Sequence, residues 1–147
     1  MESRLWLMIV LVFAYGLSAC TQSATPTSSA ETLSVENQAS FLAALLAEGA
    51  TTEAIGPITQ DFFRVEGQVV SVNGAELQIF EYADAAAMEA DASLVAPDGG
   101  SIGTSMVTWI DPPHFYKAGR ILVLYLGNDP EILHLLNRIM GPQFAGQ

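Results

Sequence analysis

Cysteine is almost missing from this chain: of its 147 residues only Cys20 carries a thiol. A lone cysteine excludes an intrachain disulfide framework and a zinc site built from several thiolates. Cations are nearly as scarce, with five Lys and Arg against sixteen Asp and Glu, for a formal net charge of −11. Glu2 and Arg4 cancel at the amino end, so the acidity belongs to the rest of the chain, whose only cations are Arg64, Lys117, Arg120 and Arg138. So few positive side chains cannot neutralise a row of phosphates, which argues against nucleic acid as a partner. They give no electrostatic grip on anionic lipid either. Imidazole is limited to His114 and His134, and no apolar run reaches the ~20 residues that a membrane-spanning helix needs.

What is present starts with an address. Arg4 opens a run from Leu5 to Leu17 that is apolar apart from Gly16, the length and polarity of an export signal. Leu17-Ser18-Ala19-Cys20 at its end resembles a bacterial lipobox. In signals of that kind the chain is cut just before the cysteine, whose sulfur takes a diacylglyceryl group and whose new amino end is often acylated. The resemblance implies that residues 1–19 are a lipoprotein signal peptide and that Cys20 is the lipidated first residue of the mature protein. Two or three acyl chains anchor stably where one alone is marginal. Lipidation also removes Cys20 as a nucleophile or metal ligand. The implied location is the cell membrane or outer membrane, lipid-anchored and facing the extracytoplasmic side. Thr21 stands where some envelopes use Asp to retain lipoproteins in the inner membrane, so an outer-membrane address is allowed. Residues 20–32 have no large apolar side chain and are expected to form a flexible tether. A single domain of residues 33–147 follows.

Within that domain the first helix is expected near Ser34, with Glu36 in its first turn, Ala39, Leu42, Leu45 and Leu46 on its buried face, widened by Phe41 and Ala44, and Gly49 just past its end. Residues 50–61 carry mixed signals around Gly56-Pro57 and read as a connector, with at most a short extended piece. Residues 62–72 and 75–82 form the clearest hairpin, because Asn73-Gly74 is the preferred pair for a two-residue type I′ turn. That turn sets Val72 opposite Ala75, Val70 opposite Leu77 and Gln68 opposite Ile79, and puts Val65, Phe80 and Tyr82 on the other side, with a bulge or strong twist expected near Gly67. Asp84 caps a helix over residues 85–96 in which Met88, Ala92 and Val95 share a face and Glu89 and Asp91 look at water. Residues 106–110 read as a strand, residues 111–119 as a loop that leaves it at Pro112-Pro113, and residues 121–126 as a central strand, being apolar without a break. Asn128 or Asp129 caps the last helix, Pro130 opens it, Ile132, Leu135, Leu136, Ile139 and Met140 repeat at helical spacing, and Gly141-Pro142 ends it. The order is α-ββ-α-ββ-α, an α+β fold of two layers in which a mainly antiparallel sheet of about four strands packs with about three helices.

Chemistry is harder to place. Ser105 follows Gly103-Thr104 but precedes Met106-Val107, so the strained G-x-S-x-G elbow is absent. A hydrolase would have to join Ser105, Asp111 and His114 in an unorthodox arrangement. Gly99-Gly100-Ser101-Ile102-Gly103-Thr104-Ser105 lacks the lysine of a phosphate-binding loop. The two histidines fall in no metal-ligand spacing, so no catalytic residues, metal or cofactor are expected. The remaining candidate is a binding loop of Trp109, Asp111, His114, Phe115, Tyr116 and Lys117, which, if it projects, lines a groove for a peptide, a glycan or another envelope protein. Alternatively its aromatics, with Phe62 and Phe63, fill a small core. Residues 100–127, including Trp109-Ile110-Asp111-Pro112-Pro113-His114-Phe115-Tyr116-Lys117, together with Gly141-Pro142-Gln143-Phe144-Ala145-Gly146, are similar to a group of small uncharacterised bacterial lipoproteins. The resemblance carries over no activity, ligand or catalytic residue; the expected role, a tethered binding or interaction module of the envelope, rests on the candidate loop, with a hydrolase around Ser105, Asp111 and His114 as the alternative.

Overall fold

Asn73 and Gly74 adopt positive φ, 51° and 89°, the backbone that a type I′ turn requires, and the sheet grows from this hairpin. The computed structural model describes residues 34–147. The signal peptide, lipobox and tether expected in residues 1–32, Cys20 included, lie outside the described residues. The elements are α1 (Gln38–Ala47), β1 (Thr52–Ile58), β2 (Gly67–Val72), β3 (Ala75–Glu81), α2 (Ala85–Ala92), β4 (Ser101–Ile102), β5 (Ser105–Met106), β6 (Pro113–Ala118), β7 (Ile121–Leu126), α3 (Pro130–Met140) and β8 (Ala145–Gly146). An antiparallel sheet of six strands runs β1-β2-β3-β7-β6-β8, and β4-β5 form a separate two-stranded ribbon. Among the described residues the fold is thus α+β with three helices, as expected, but the main sheet has six strands instead of about four and the strand order differs.

Of the main-sheet strands outside the expected four, β1 and β8 are its edges and β6 takes the place expected for residues 106–110. β1 is exposed along most of its length, so no buried face gives it period-2 hydrophobicity. It tolerates Pro57 because its outer side needs no partner, and its register shifts between Ala54 and Gly56, leaving Ile55 as an unpaired, exposed extra residue. At the other edge, the chain returns after α3 as β8 and pairs Gly146 with His114 and Ala145 with Phe115.

The hairpin register is as the turn dictates: Val72 pairs Ala75, Val70 pairs Leu77 and Gln68 pairs Ile79. No bulge occurs at Gly67, whose pairing with Phe80 is regular. Gly67 makes room instead, because a Cβ there would sit 2.7 Å from the Phe80 ring.

The two-layer expectation gives way to cover on both faces of the sheet. One face carries Val70, Val72, Leu77, Ile79, Tyr116, Ile121, Val123 and Tyr125 under α1 and α3. The other carries Phe80, Tyr82, Phe115, Leu122 and Leu124 under α2, Phe63 and the segment around Ile102. β7 contributes to both, as its unbroken apolar run predicts.

α1 starts later than Ser34, at Asn37, whose side chain accepts the Ser40 N–H while Ser40 Oγ accepts the Asn37 N–H, a reciprocal capping box. Its buried face is Phe41, Ala44 and Leu45, while Ala39 and Leu46 point to solvent. α2 ends at Ala92 rather than Ala96, and α3 matches the expected bounds, with Asp129 as N-cap and Pro130 at its start. At the start of α1 the chain is stapled to the middle of the sheet: the Arg120 N–H, just before β7, donates to Glu36 O at 3.0 Å, and the N–H of Gln38, the first residue of α1, donates to Glu81 Oε2 at 2.8 Å.

Replacing Gly67 by Ala is expected to destabilise the domain by about 1–3 kcal/mol, the usual cost of overpacking a full core. Urea denaturation monitored by circular dichroism measures it; an unchanged midpoint would contradict the role of Gly67 in seating Phe80.

Candidate functional site

The segment expected to project as a loop lies mostly in the sheet. Pro113 is the first residue of β6, a position where a missing N–H is tolerated, and His114, Phe115 and Tyr116 are buried. Strand alternation sends them to opposite sides: Tyr116 joins the core under α1 and α3, and Phe115 the core under α2. Lys117 is half-buried and reaches back to Glu89, 2.6 Å away on α2, with its ammonium 4.9 Å from the centre of the Phe144 ring. The expected strand over residues 106–110 is reduced to Ser105–Met106, and Trp109, Ile110 and Asp111 form an irregular crossing from that ribbon to β6.

The aromatics form a connected cluster. Phe62 meets Phe63 and Trp109 edge-on, Phe63 meets Phe80, and Phe115 meets both Trp109 and Phe144, at centroid distances of 4.7–6.1 Å. Trp109 Nε1–H donates to Gly99 O at 2.7 Å, fixing the ring at the cluster's edge. Most of these rings fill core, whereas Trp109 lines an open concavity.

His114 is buried on the α1/α3 side, stacked on Tyr125, with Nδ1–H donating to Gln143 Oε1 at 2.6 Å. That bond leaves Nε2 as the lone-pair nitrogen of the neutral ring. Nε2 and the Tyr116 hydroxyl, both on this face of β6, have no hydrogen-bond partner. Among the described residues no hydrogen bond joins Ser105, Asp111 and His114, and Ser105 is exposed while His114 is buried. Nor, among the described residues, do three or more His, Cys, Asp or Glu side chains gather as a metal site.

One buried acid escaped the sequence pattern. Asp91 does not look at water: it is fully buried beneath α2. Its Oδ2 accepts from the Arg64 N–H and from the Tyr82 hydroxyl, each at 3.0 Å. Arg64 Nε lies 2.7 Å from Oδ1, a contact held by charge rather than by a directed N–H, since Oδ1 receives no aligned donor. The signal was legible: Asp91 follows Met88 by three residues and precedes Val95 by four, inside the apolar stripe rather than opposite it. The cluster ties the segment before β2 to α2 and to Tyr82 beyond β3, which is a structural task. Burial, then the hydrogen bond to Asp91 and its charge, push the Tyr82 hydroxyl well above its usual range, with Arg64 opposing; burial also raises Tyr116.

Among the described residues, a groove and a cleft open at the surface. A groove of about 440 Å³ is walled by Trp109, Pro112 and Pro113 and rimmed by Asp98 and Asp111. Beside it Ile110 is 88% exposed, and on the adjacent ribbon Met106 is 92% exposed. The cleft, of about 610 Å³, lies between the end of α1 and α3 and contains the exposed His134.

No protein-family model, curated protein or solved structure matches the chain.

Replacing Tyr82 by Phe strips one donor from a buried carboxylate and is expected to cost about 1–3 kcal/mol at neutral pH. The folded wild type keeps a phenolic proton that the unfolded chain releases above about pH 10, so its stability falls as pH rises through that range. The variant should lose part of that alkaline slope; denaturation series at neutral and alkaline pH measure both effects, and identical slopes would refute the assignment.

Proposed function

We propose that this chain is a lipid-anchored extracytoplasmic bacterial lipoprotein that acts as a binding module of the cell envelope, its partner docking over the Trp109 groove. The address rests on the Arg4 start, the Leu5 to Leu17 run and Leu17-Ser18-Ala19-Cys20, and membrane attachment is through lipid on Cys20. The observation that carries the binding reading is the pair of nearly fully exposed apolar side chains, Met106 and Ile110, beside a groove that holds an aromatic ring and two carboxylates.

Covering a large apolar side chain removes about 1.5–3 kcal/mol of exposure cost, which an unpartnered domain forgoes. Asp98 and Asp111 flank this apolar surface, and Asp111 makes no ion pair among the described residues. The matching partner is therefore an envelope protein that presents apolar side chains with Lys or Arg at their rim. A glycan would use Trp109 and the carboxylates but gains little from Met106 and Ile110.

Intact mass of the protein purified from membranes should show cleavage before Cys20 and added acyl chains, both lost in Cys20→Ala. A photo-crosslinking residue at Thr108 should yield one discrete membrane-associated adduct, reduced at least about tenfold by Ile110→Asp or Met106→Asp, a factor that corresponds to about 1.4 kcal/mol of contact energy. Because both side chains are exposed, neither substitution should shift the melting temperature. Adducts that are unaffected by these substitutions would sink the groove assignment, and an unmodified mass would sink the address.

A further inference from the structure

We propose that the cleft between α1 and α3 binds a short peptide of about three residues with free termini, laid extended along α3 with its carboxylate on Arg138 and its ammonium on Glu131. This goes beyond the envelope-partner reading and does not rest on it, since the cleft shares no residue with the Trp109 groove.

The α3 wall supplies Glu131, His134, Leu135 and Arg138, spaced at 0, 3, 4 and 7, so they form one stripe down the helix. Facing them are Glu48, at the end of α1, then Ala50 and Asn73. A volume of about 610 Å³ falls within the 300–1,000 Å³ of small-ligand sites. Glu131 and Arg138 are seven positions apart, which is about 10 Å along a helix at 1.5 Å per residue. An extended peptide covers that span with about three residues at 3.3–3.6 Å each.

The charges set the direction. Glu131 takes part in no ion pair among the described residues, whereas Arg138 Nη2 contacts Glu48 Oε2 at 2.6 Å. That pair is nearly half exposed on both sides, the kind that contributes little and exchanges readily. Arg138 also has further N–H donors for an incoming carboxylate. Between the charged ends, Leu135 and Ala50 give an apolar floor for a side chain. Asn73 spends its Oδ1 on the Thr51 N–H and hydroxyl, which leaves its Nδ2 donors for a peptide carbonyl. A zwitterion carries no net charge, so the strongly acidic chain does not repel it at long range.

Calorimetric titration of the full-length protein in detergent with alanyl-leucyl-alanine, its N-acetyl form and its C-amide form tests the assignment. Free peptide should bind, and capping either end should weaken binding by about tenfold or more, the loss of one charge-assisted contact. Arg138→Gln should weaken free peptide by a similar factor without weakening the C-amide further, and Glu131→Gln should do the same for the N-acetyl form. Both side chains are exposed, so both variants should melt with the wild type. Equal affinity for free and capped peptides, tighter binding of the C-amide, losses that add instead of overlapping, or no binding by the wild type would each overturn the proposal.

Discussion

Strand β7 buries five successive side chains, Ile121 through Tyr125, and a strand with no wet face must be covered on both sides. That one requirement accounts for the arrangement around it. α1 and α3 cover Ile121, Val123 and Tyr125, while α2 and the aromatic segment around Phe63 and Phe115 cover Leu122 and Leu124. β3 and β6 flank β7 and take up its backbone groups, and the edges are closed by β1 and β8, a bulged strand with a proline and a two-residue strand. Both are short or irregular enough to discourage further pairing. The polar cluster of Asp91, Arg64 and Tyr82 then closes the thinner cover, where α2 has only two turns to offer.

Legibility in the sequence followed burial. β7, α3 and the Asn73-Gly74 hairpin each carry a pattern that only one local structure satisfies, and the register of the hairpin was readable to the residue. β1 was not, because an exposed edge strand has no hydrophobic period, and Gly56-Pro57 reads the same way in a bulge as in a loop. β6 is hidden because Pro113 looks like a strand breaker, yet at the first residue of a strand a missing N–H is tolerated. Asp91 looks water-facing by residue type, although its position lies within the apolar stripe; a cation and a hydroxyl distant in sequence bury it, and no local pattern announces them.

The candidate site separated along the same line. Phe115, Tyr116 and His114 lie in the sheet because β6 pairs along its whole length with β7 and is covered at its other edge by β8, which leaves Trp109 and Asp111 at an open groove. The cleft along α3 was invisible in sequence, since it requires Glu48 and Asn73 to face a helix more than fifty residues further on. Each cation of the described residues, Arg64, Lys117, Arg120 and Arg138, is held by a carboxylate. The remaining charge of the surface is therefore negative, and any partner with a net positive face is drawn to most of it.

The staple at the start of α1 sets how the domain carries load. Tension transmitted along the chain toward Ser34 meets the Glu36–Arg120 hydrogen bond ahead of α1 and the Gln38–Glu81 hydrogen bond at its first residue. Glu81 ends β3 and Arg120 precedes β7, and these strands are paired to each other and flanked by β2 and β6. A pull from that side is therefore passed to the middle of the sheet instead of peeling an edge strand. The mechanical strength of the domain against its own N-terminal chain is that of its best-buried strands.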